Sequence, residues 1–333
     1  MTAWTRGEDE RPRIAAVVVT YNRLPLLQRL LERLDTVAGL DEVLVVDNAS
    51  TDGTSEWLAS LEPGAEGADG HAERRVLART LTVNSGGAGG FAEGLAWAVE
   101  RGAGLVWLMD DDGVPAPDCL DRLLRAGSPD DRGAGGGFDL WGPVVVDEAA
   151  PDRLVFPIRL PGGTRVVHDV DAVERAATGG AGDGVIDGIV IPFNGVLVTR
   201  ELVERIGVPR ADFFIWGDDH EYRLRAEAAG ARIATVAGAR FLHPSVGSLG
   251  TPMMFGRTTY NHSPSDLKHY CMARNNLVNQ RSYNGWPHAL AFVVKTAWFY
   301  TFTRPSARRL LLSARAMYAG LRGDFTGHRR FLG

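Results

Sequence analysis

The residues able to do chemistry in this 333-residue chain fall in a few short stretches. Asp110, Asp111 and Asp112 stand in a row directly after the apolar run Gly104-Leu105-Val106-Trp107-Leu108-Met109. If the extended chain continues through them, Asp110 and Asp112 share a face and Asp111 points away. Two carboxylates on one face suit a hard divalent cation, Mg2+ or Mn2+, whose shell is completed by water and phosphate oxygens. The alternative is a solvated acidic turn, Asp-Asp-Gly-Val-Pro. A second acidic stretch, Asp218-Asp219-His220-Glu221, has the spacing of a capping box. That reading uses Asp218 and Glu221 and leaves Asp219 over. A carboxylate at a helix start is stabilised as the anion, and an anion beside a bound hydroxyl can serve as general base. The aromatic run before it, Phe213 to Trp216, reads as an apolar or sugar-stacking wall. His243, just before Pro244, is either a structural residue or a ligand whose imidazole suits Mn2+ better than Mg2+. Asp47 either accepts hydrogen bonds from a base or ribose or closes an Asx turn before Ser50.

A glycine run completes the set. Gly87-Ala88-Gly89-Gly90-Phe91-Ala92 fits G-x-G-x-x-A, with acids about 20 residues on, as in a dinucleotide fold. That fingerprint normally follows the first strand, whereas two strand–helix units precede it here, and the acids come as a triplet. Close packing of a helix on a strand is a second reading. A backbone wall for a nucleotide or diphosphate is the third and preferred one, since amides at a helix start favour anions.

These residues need strands to deliver them. Ile14 to Val19 reads as a buried strand ending at Thr20-Tyr21-Asn22-Arg23, and Pro25 opens a helix over Leu26 to Leu34. Glu42 to Val46 is a second strand, ending at Asp47, and a helix carrying Glu56 and Trp57 follows. Val76 to Val83 is a third strand, running into Asn84 and the glycines, with a helix from Phe91 to Arg101. The spacing predicts right-handed βαβ units, a parallel sheet and a ligand outside its carboxyl ends. Further strands are predicted at 140–146, 154–158, 233–236 and 239–242, with helices at 201–206, from Asp218 to about Ala229, and from about Asp266. Loose segments are expected at 62–75, 127–137 and 178–184.

Composition narrows the class. The chain is 45% hydrophobic and 23% charged, ordinary for a globular protein. A net charge of −5 argues against a nucleic-acid partner. Cys119 and Cys271 have neither disulfide-framework nor zinc spacing. The polar opening residues suggest no signal peptide, and Ala289 to Phe302, interrupted by Lys295, is shorter than the roughly 20 apolar residues a bilayer span needs. A cytoplasmic protein is therefore expected. From Trp286 onward there are eight Lys/Arg and one acid, interleaved with Trp298, Phe299, Tyr300 and Phe302. Cations with such aromatics mark a helix lying on an anionic membrane, the alternative being a helical cap on the core.

In order along the chain, Val17-Val18-Val19-Thr20-Tyr21-Asn22-Arg23, Val45-Val46-Asp47-Asn48-Ala49-Ser50-Thr51-Asp52-Gly53, the run Asn84 to Gly90, Asp110-Asp111-Asp112 and Trp216-Gly217-Asp218-Asp219 resemble the inverting family 2 glycosyltransferases. The resemblance implies an α/β GT-A fold over 14–245, after a polar tail at 1–13 and before a helical acceptor- or membrane-associating region at 246–333. It implies a nucleotide-sugar donor near Thr20, Tyr21, Asn22, Arg23, Asp47, Asn84, Gly87, Gly89, Gly90, Asp110 and Asp111. It implies Mn2+ or Mg2+ on Asp110 and Asp112, and Asp219 as base, with Asp218 where the family often has Glu. Trp216, Asp218 and Arg274 are expected on the acceptor side. Gly-Gly-Ala-Gly-Gly-Phe, Trp-Leu-Met-Asp-Asp-Asp-Gly, Leu154-Val155-Phe156-Pro157, Phe193-Asn194-Gly195 and Leu242-His243-Pro244 look more narrowly like actinobacterial galactofuranosyltransferases. That group implies His243 as a metal ligand, UDP-galactofuranose as donor and a polyprenyl-diphosphate-linked glycan as acceptor; with the basic aromatic tail, such an acceptor leads to the expectation of a peripheral position on the cytoplasmic face of the membrane. Rhamnosyltransferases using dTDP-rhamnose share many of these signals, and a non-catalytic nucleotide-sugar-binding subunit is the alternative from another class.

Overall fold

A computed structural model describes residues 11–61, 75–127, 137–177, 184–247 and 250–332. Most of the polar tail and of the three loose segments lies outside them. The order is β1 (Ile14–Thr20), α1 (Leu24–Asp35), β2 (Glu42–Asp47), α2 (Thr54–Ser60), β3 (Arg75–Thr80), α3 (Gly86–Glu100) and β4 (Leu105–Asp110). Next come β5 (Val114–Pro115), α4 (Cys119–Gly127), β6 (Leu140–Asp147), β7 (Arg153–Arg159), β8 (Val166–Asp169), α5 (Val170–Ala176), β9 (Val185–Asp187), β10 (Asn194–Thr199) and α6 (Arg200–Ile206). The chain continues through α7 (Asp218–Ala228), β11 (Ile233–His243), β12 (Thr251–Met253), β13 (Thr258–Tyr260), α8 (Asp266–Asn279), α9 (Trp286–Trp298) and α10 (Ala307–Leu321).

Two compact units divide this chain. The first holds 1–85, 90–208 and 226–245; the second holds 86–89, 209–225 and 246–333. The segment carrying Asp218 and Asp219 therefore groups with the C-terminal residues, unlike a simple split at 245.

The first unit is built on a mixed sheet in the order β3-β2-β1-β4-β10-β6-β11-β5. β3, β2, β1 and β4 are mutually parallel; β10 runs antiparallel to β4 and β6. Every residue of β1 and β2 is buried, as their unbroken apolar runs require of parallel strands covered on both faces. α1 buries Leu27, Leu30, Leu31 and Leu34, one helical face. Glu42, fully buried at the start of β2, is neutralised by Arg13 and Arg101 at 2.9 and 2.8 Å.

Three sequence expectations change here. The glycine run lies inside α3, which starts at Gly86 and not at Phe91. A Cβ on Gly90 would sit 2.4 Å from Val19 Cγ1, and one on Gly94 2.4 Å from Val17 Cγ1. Glycine lets α3 press onto β1, so the packing reading holds for Gly90, and Val19 fills the side expected to face a nucleotide. The strands expected at 233–236 and 239–242 are one strand, β11, with its register shifted between Val236 and Arg240. The third strand stops at Thr80.

In the second unit α8, α9 and α10 pack through Tyr270, Ala273, Leu277, Ala289, Ala316 and Met317. Tyr260 stacks on Phe299, ring centroids 4.6 Å apart. Phe299 and Tyr300 are thus core residues, while Trp286, Leu290 and Phe302 stay 59%, 63% and 65% exposed. One face of the tail thus caps a core, as one of the two expectations had it, and another face is exposed. No helix among the described residues is long and apolar enough to cross a membrane.

Candidate active site

In the first unit, the parallel register sets Thr20 beside Asp47 and Val19 beside Asp110, so the loops after β1, β2 and β4 emerge together. β4 ends at Asp110 and the chain turns, so strand alternation does not run through the triplet. Asp111, expected to point away, is buried instead: its Oδ2 accepts from Thr20 Oγ1 at 2.7 Å and its Oδ1 from Arg23 Nη1 at 3.0 Å. The same Nη1 donates to Asp112 Oδ2 at 2.8 Å. Burial lifts the Asp111 pKa above the usual carboxylate value, and Thr20 and Arg23 only partly offset this. Burial pushes Asp112 upward too, but His243 and Arg23 outweigh it and hold Asp112 below that value.

His243 ends β11 and is buried. Its Nδ1 lies 2.7 Å from the Pro244 carbonyl, to which it donates, so in the neutral ring Nε2 carries the lone pair. Nε2 lies 3.4 Å from Asp112 Oδ1, a buried oxygen with no hydrogen-bond partner among the described residues. A carboxylate oxygen and an imidazole nitrogen facing each other, the ring oriented by a backbone carbonyl, is a donor pair suited to a divalent cation. The expected trio of Asp110, Asp112 and His243 is brought together only as this pair. Among the described residues no three His, Cys, Asp or Glu side chains converge on one point. Asp110 is half-buried at the strand end, its amide donating to the Phe193 carbonyl at 3.3 Å.

Several expected nucleotide contacts turn out to shape the loops. Asp47 is completely buried: Oδ1 accepts from the Ser50 amide at 3.0 Å and Oδ2 from the Ser55 hydroxyl. Both oxygens are engaged within the chain, which is the Asx-turn reading of this residue. Asn22, at φ 52°, joins two loops: its amide donates to Ser50 Oγ at 2.9 Å, and its Oδ1 accepts from the Thr51 amide at 2.7 Å. Asn48, missed at the sequence level, is buried and accepts from the Ser85 amide at 2.8 Å, fixing the approach to α3. Thr20 is buried under Asp111, and Gly89 is buried as well. Tyr21 and Arg23 are exposed and Asn84 and Gly87 half-exposed; the Cβ position of Gly87 meets nothing within 4 Å.

In the second unit, the loop before α7 holds Phe214, Trp216 and Gly217 at φ 67°, 72° and 85°, strained for the first two. Side chains of α8 hold it there. Asn275 Nδ2 donates to the Trp216 and Phe213 carbonyls at 2.8 and 3.0 Å, and Asn279 Nδ2 to that of Gly217 at 2.8 Å. Arg274 Nη2 donates to the Phe213 carbonyl at 2.9 Å, and Nη1 to that of Phe325 at 2.9 Å. Arg274 is 0% exposed, so the expected acceptor contact gives way to a structural role. Phe213 and Phe214 are also buried, the latter stacked on His328; of the expected aromatic wall Ile215 and Trp216 remain half-exposed. At the start of α3, the Ala88 amide donates to the Phe214 carbonyl at 3.1 Å.

That loop launches α7. The Glu221 amide donates to the Gly217 carbonyl at 2.9 Å, so Gly217 is the cap and the Asp218–Glu221 capping box does not form. Glu221 is taken by Arg225 at 2.9 Å and by the Tyr283 hydroxyl at 2.6 Å. Asp218 is buried; Asp219 is half-buried, its Oδ1 accepting from the His220 amide at 2.7 Å. Burial raises the pKa of both, and the neighbouring Asp219 charge raises Asp218 further. A pair so placed holds one proton between two carboxyls more readily than two charges.

Comparison with known proteins agrees with this architecture. The Glycosyl transferase family 2 model matches residues 15–158. Galactofuranosyltransferase GlfT1 of Mycobacterium tuberculosis is 32% identical over 321 residues, 94% of this chain and 96% of that protein. Undecaprenyl-phosphate mannosyltransferase of Micrococcus luteus is 39% identical over 114 residues, 34% of this chain and 44% of that protein. Among solved structures, GalNAc-T7 with UDP, GalNAc and Mn2+ superposes with a TM-score of 0.54 at 12% identity, covering 97% of this chain and 59% of that one, a likeness of fold. The mixed sheet flanked by helices is thus that of the GT-A glycosyltransferases. The chain belongs to glycosyl transferase family 2 and is a glycosyltransferase, similar along almost its whole length to galactofuranosyltransferases.

Proposed function

We propose that this enzyme moves galactofuranose from UDP-galactofuranose to a polyprenyl-diphosphate-linked glycan, with inversion at the anomeric carbon. The observation that carries the donor chemistry is the buried Asp112 Oδ1, without a hydrogen-bond partner among the described residues, facing His243 Nε2 at the sheet's carboxyl end. The sugar follows the galactofuranosyltransferase relative, and the lipid-linked acceptor is supported by the polyprenyl-phosphate mannosyltransferase. Asp112 and His243 would hold Mn2+ or Mg2+, and the cation would offset charge on the departing diphosphate. The Mn2+ in the GalNAc-T7 structure is in keeping with this.

The chain's own groups supply the rest. Tyr21, Arg23, Asn84 and Gly87 are the accessible candidates for the nucleotide, while Thr20, Asn22, Asp47 and Asp111 keep the loops in shape. Asp219 takes the proton of the acceptor hydroxyl, aided by a raised pKa. The acceptor oxygen then displaces the nucleoside diphosphate from the opposite face in one step. Asp218 keeps its proton and spares the pair a second charge. Trp216 is the residue proposed to meet the acceptor sugar. The enzyme works peripherally at the cytoplasmic face of the membrane, through the bare face of α9.

The test is a donor screen with Mn2+ or Mg2+. UDP release from UDP-galactofuranose, dependent on a lipid-linked acceptor, is expected. Turnover of dTDP-rhamnose alone would transfer the reading to a rhamnosyltransferase, and no release from any donor would leave a binding subunit.

A further inference from the structure

The second unit contains a cavity of about 460 Å³ that plays no part in the donor chemistry. Asp266 at the start of α8, one face of α10, and Arg330 and Phe331 after α10 line it. Arg308, Leu311, Leu312 and Arg315 fall at helical spacing, so one side of α10 alternates guanidinium and aliphatic groups. The charges do not balance. Asp266 is the one acid in the lining, and it already faces both Arg308 and Arg309. Arg315 has no carboxylate within ion-pair distance among the described residues. Arg330 lies over the rings of Tyr270 and Phe331, each 4.8 Å away, with its charge likewise unpaired among them. A chain of net charge −5 thus concentrates cations around one concave, partly apolar wall.

We propose that this cavity binds the diphosphate head of a prenyl-type lipid, its arginines on the phosphate oxygens and Leu311 and Phe331 against the first carbons of the chain. Guanidinium forks match phosphate oxygens, and the volume falls in the range of small-molecule sites. An apolar wall beside the arginines selects a phosphorylated amphiphile over a free phosphate. This rests on the lipid-linked acceptor proposed above and assigns its anchor to residues remote in sequence from the donor cluster.

The experiment measures binding of farnesyl diphosphate, farnesol and inorganic diphosphate to the full chain by calorimetry, with UDP present at saturation. Farnesyl diphosphate is expected to bind at least tenfold more tightly than either of the others. The exposed double variant Arg315→Gln/Arg330→Gln should lose at least tenfold of that affinity while keeping its melting temperature and its affinity for UDP. The double Lys variant should recover part of the loss. Equal affinity for inorganic diphosphate, displacement by UDP, or an unaltered double Gln variant overturns the proposal. So does a variant that loses binding to phosphatidylglycerol vesicles but not to farnesyl diphosphate. Intact farnesyl diphosphate binding with no turnover of any donor would sink the proposed transfer and leave this site standing.

Discussion

Asp218 and Asp219 are adjacent in sequence, yet their surroundings assign them different work. Asp219 is half-buried and reachable; Asp218 is buried beside it. Asp219→Asn is expected to cut turnover 100-fold or more while leaving UDP affinity unchanged, because an amide accepts no proton. An active Asp219→Asn beside a dead Asp218→Asn would reverse the assignment. The raised pKa also fixes a direction in pH. Since Asp219 must be ionised to act, the acid limb of the kcat profile should lie above the ordinary carboxylate range; a limb near pH 4 would contradict it. Stability carries the same sign. A carboxyl whose folded pKa is raised binds its proton more tightly when folded, so its contribution falls as pH climbs above the ordinary carboxylate value. Asp218→Asn, which cannot ionise, should therefore melt higher than the parent at pH 8, by roughly 2–6 °C. The two should converge near pH 4, and a constant difference would remove the pair's charge from the explanation.

At the scale of elements, the strained loop at 213–217 depends on α8 more than on itself. Phe214 and Trp216 keep left-handed backbone because side-chain donors of α8 meet the carbonyls around them. Asn275→Ala takes the side-chain donor from the Trp216 carbonyl while Arg274 still serves that of Phe213, at a cost of about 1–3 kcal/mol. Chemical denaturation should show that loss, and kcat should drop at least tenfold with UDP affinity unaltered; wild-type kcat would show the loop holding its own shape. The sequence made the strands and their loops legible, since unbroken apolar runs such as Ile14 to Val19 have few other uses. It also marked the acidic stretches. It did not show that the chain turns after Asp110, because a turn and a strand end share the same Asp and Gly residues. Nor did it show that Asp47 and Arg274 face inward, since spacing alone does not say which polar residues serve the fold. Asn275 and Asn279 left a faint signal, polar amides in a helix whose neighbours are mostly buried.

Across the whole molecule, charge and exposed apolar surface gather in the C-terminal residues. Trp286, Leu290, Val294 and Phe302 are exposed at helical spacing, with Lys295 among them and Arg281 lying over the Trp286 ring at 4.9 Å. Such a face, apolar with a cationic edge, is fitted to lie in an anionic interface. Each cation near the surface should add about 1 kcal/mol, screened by salt. The protein is expected to pellet with anionic vesicles at low salt, detach at high salt and ignore neutral vesicles. Leu290→Glu/Val294→Glu should abolish pelleting while the fold persists, and pelleting indifferent to lipid charge would reduce the face to a bare cap.

The grip of α8 on the loop before Asp218 bears on how such enzymes can be recombined. The family match ends at residue 158, inviting a graft in which an N-terminal half from one relative is joined to a C-terminal half from another. A crossover placed anywhere between Ala228 and Asp266 would take Asp219 from one parent and Asn275 and Asn279 from the other. Fusions cut near residue 208 instead pass the loop and its three α8 partners on as one heritable block. Chimeras of the second kind should keep catalytic turnover where those of the first lose it.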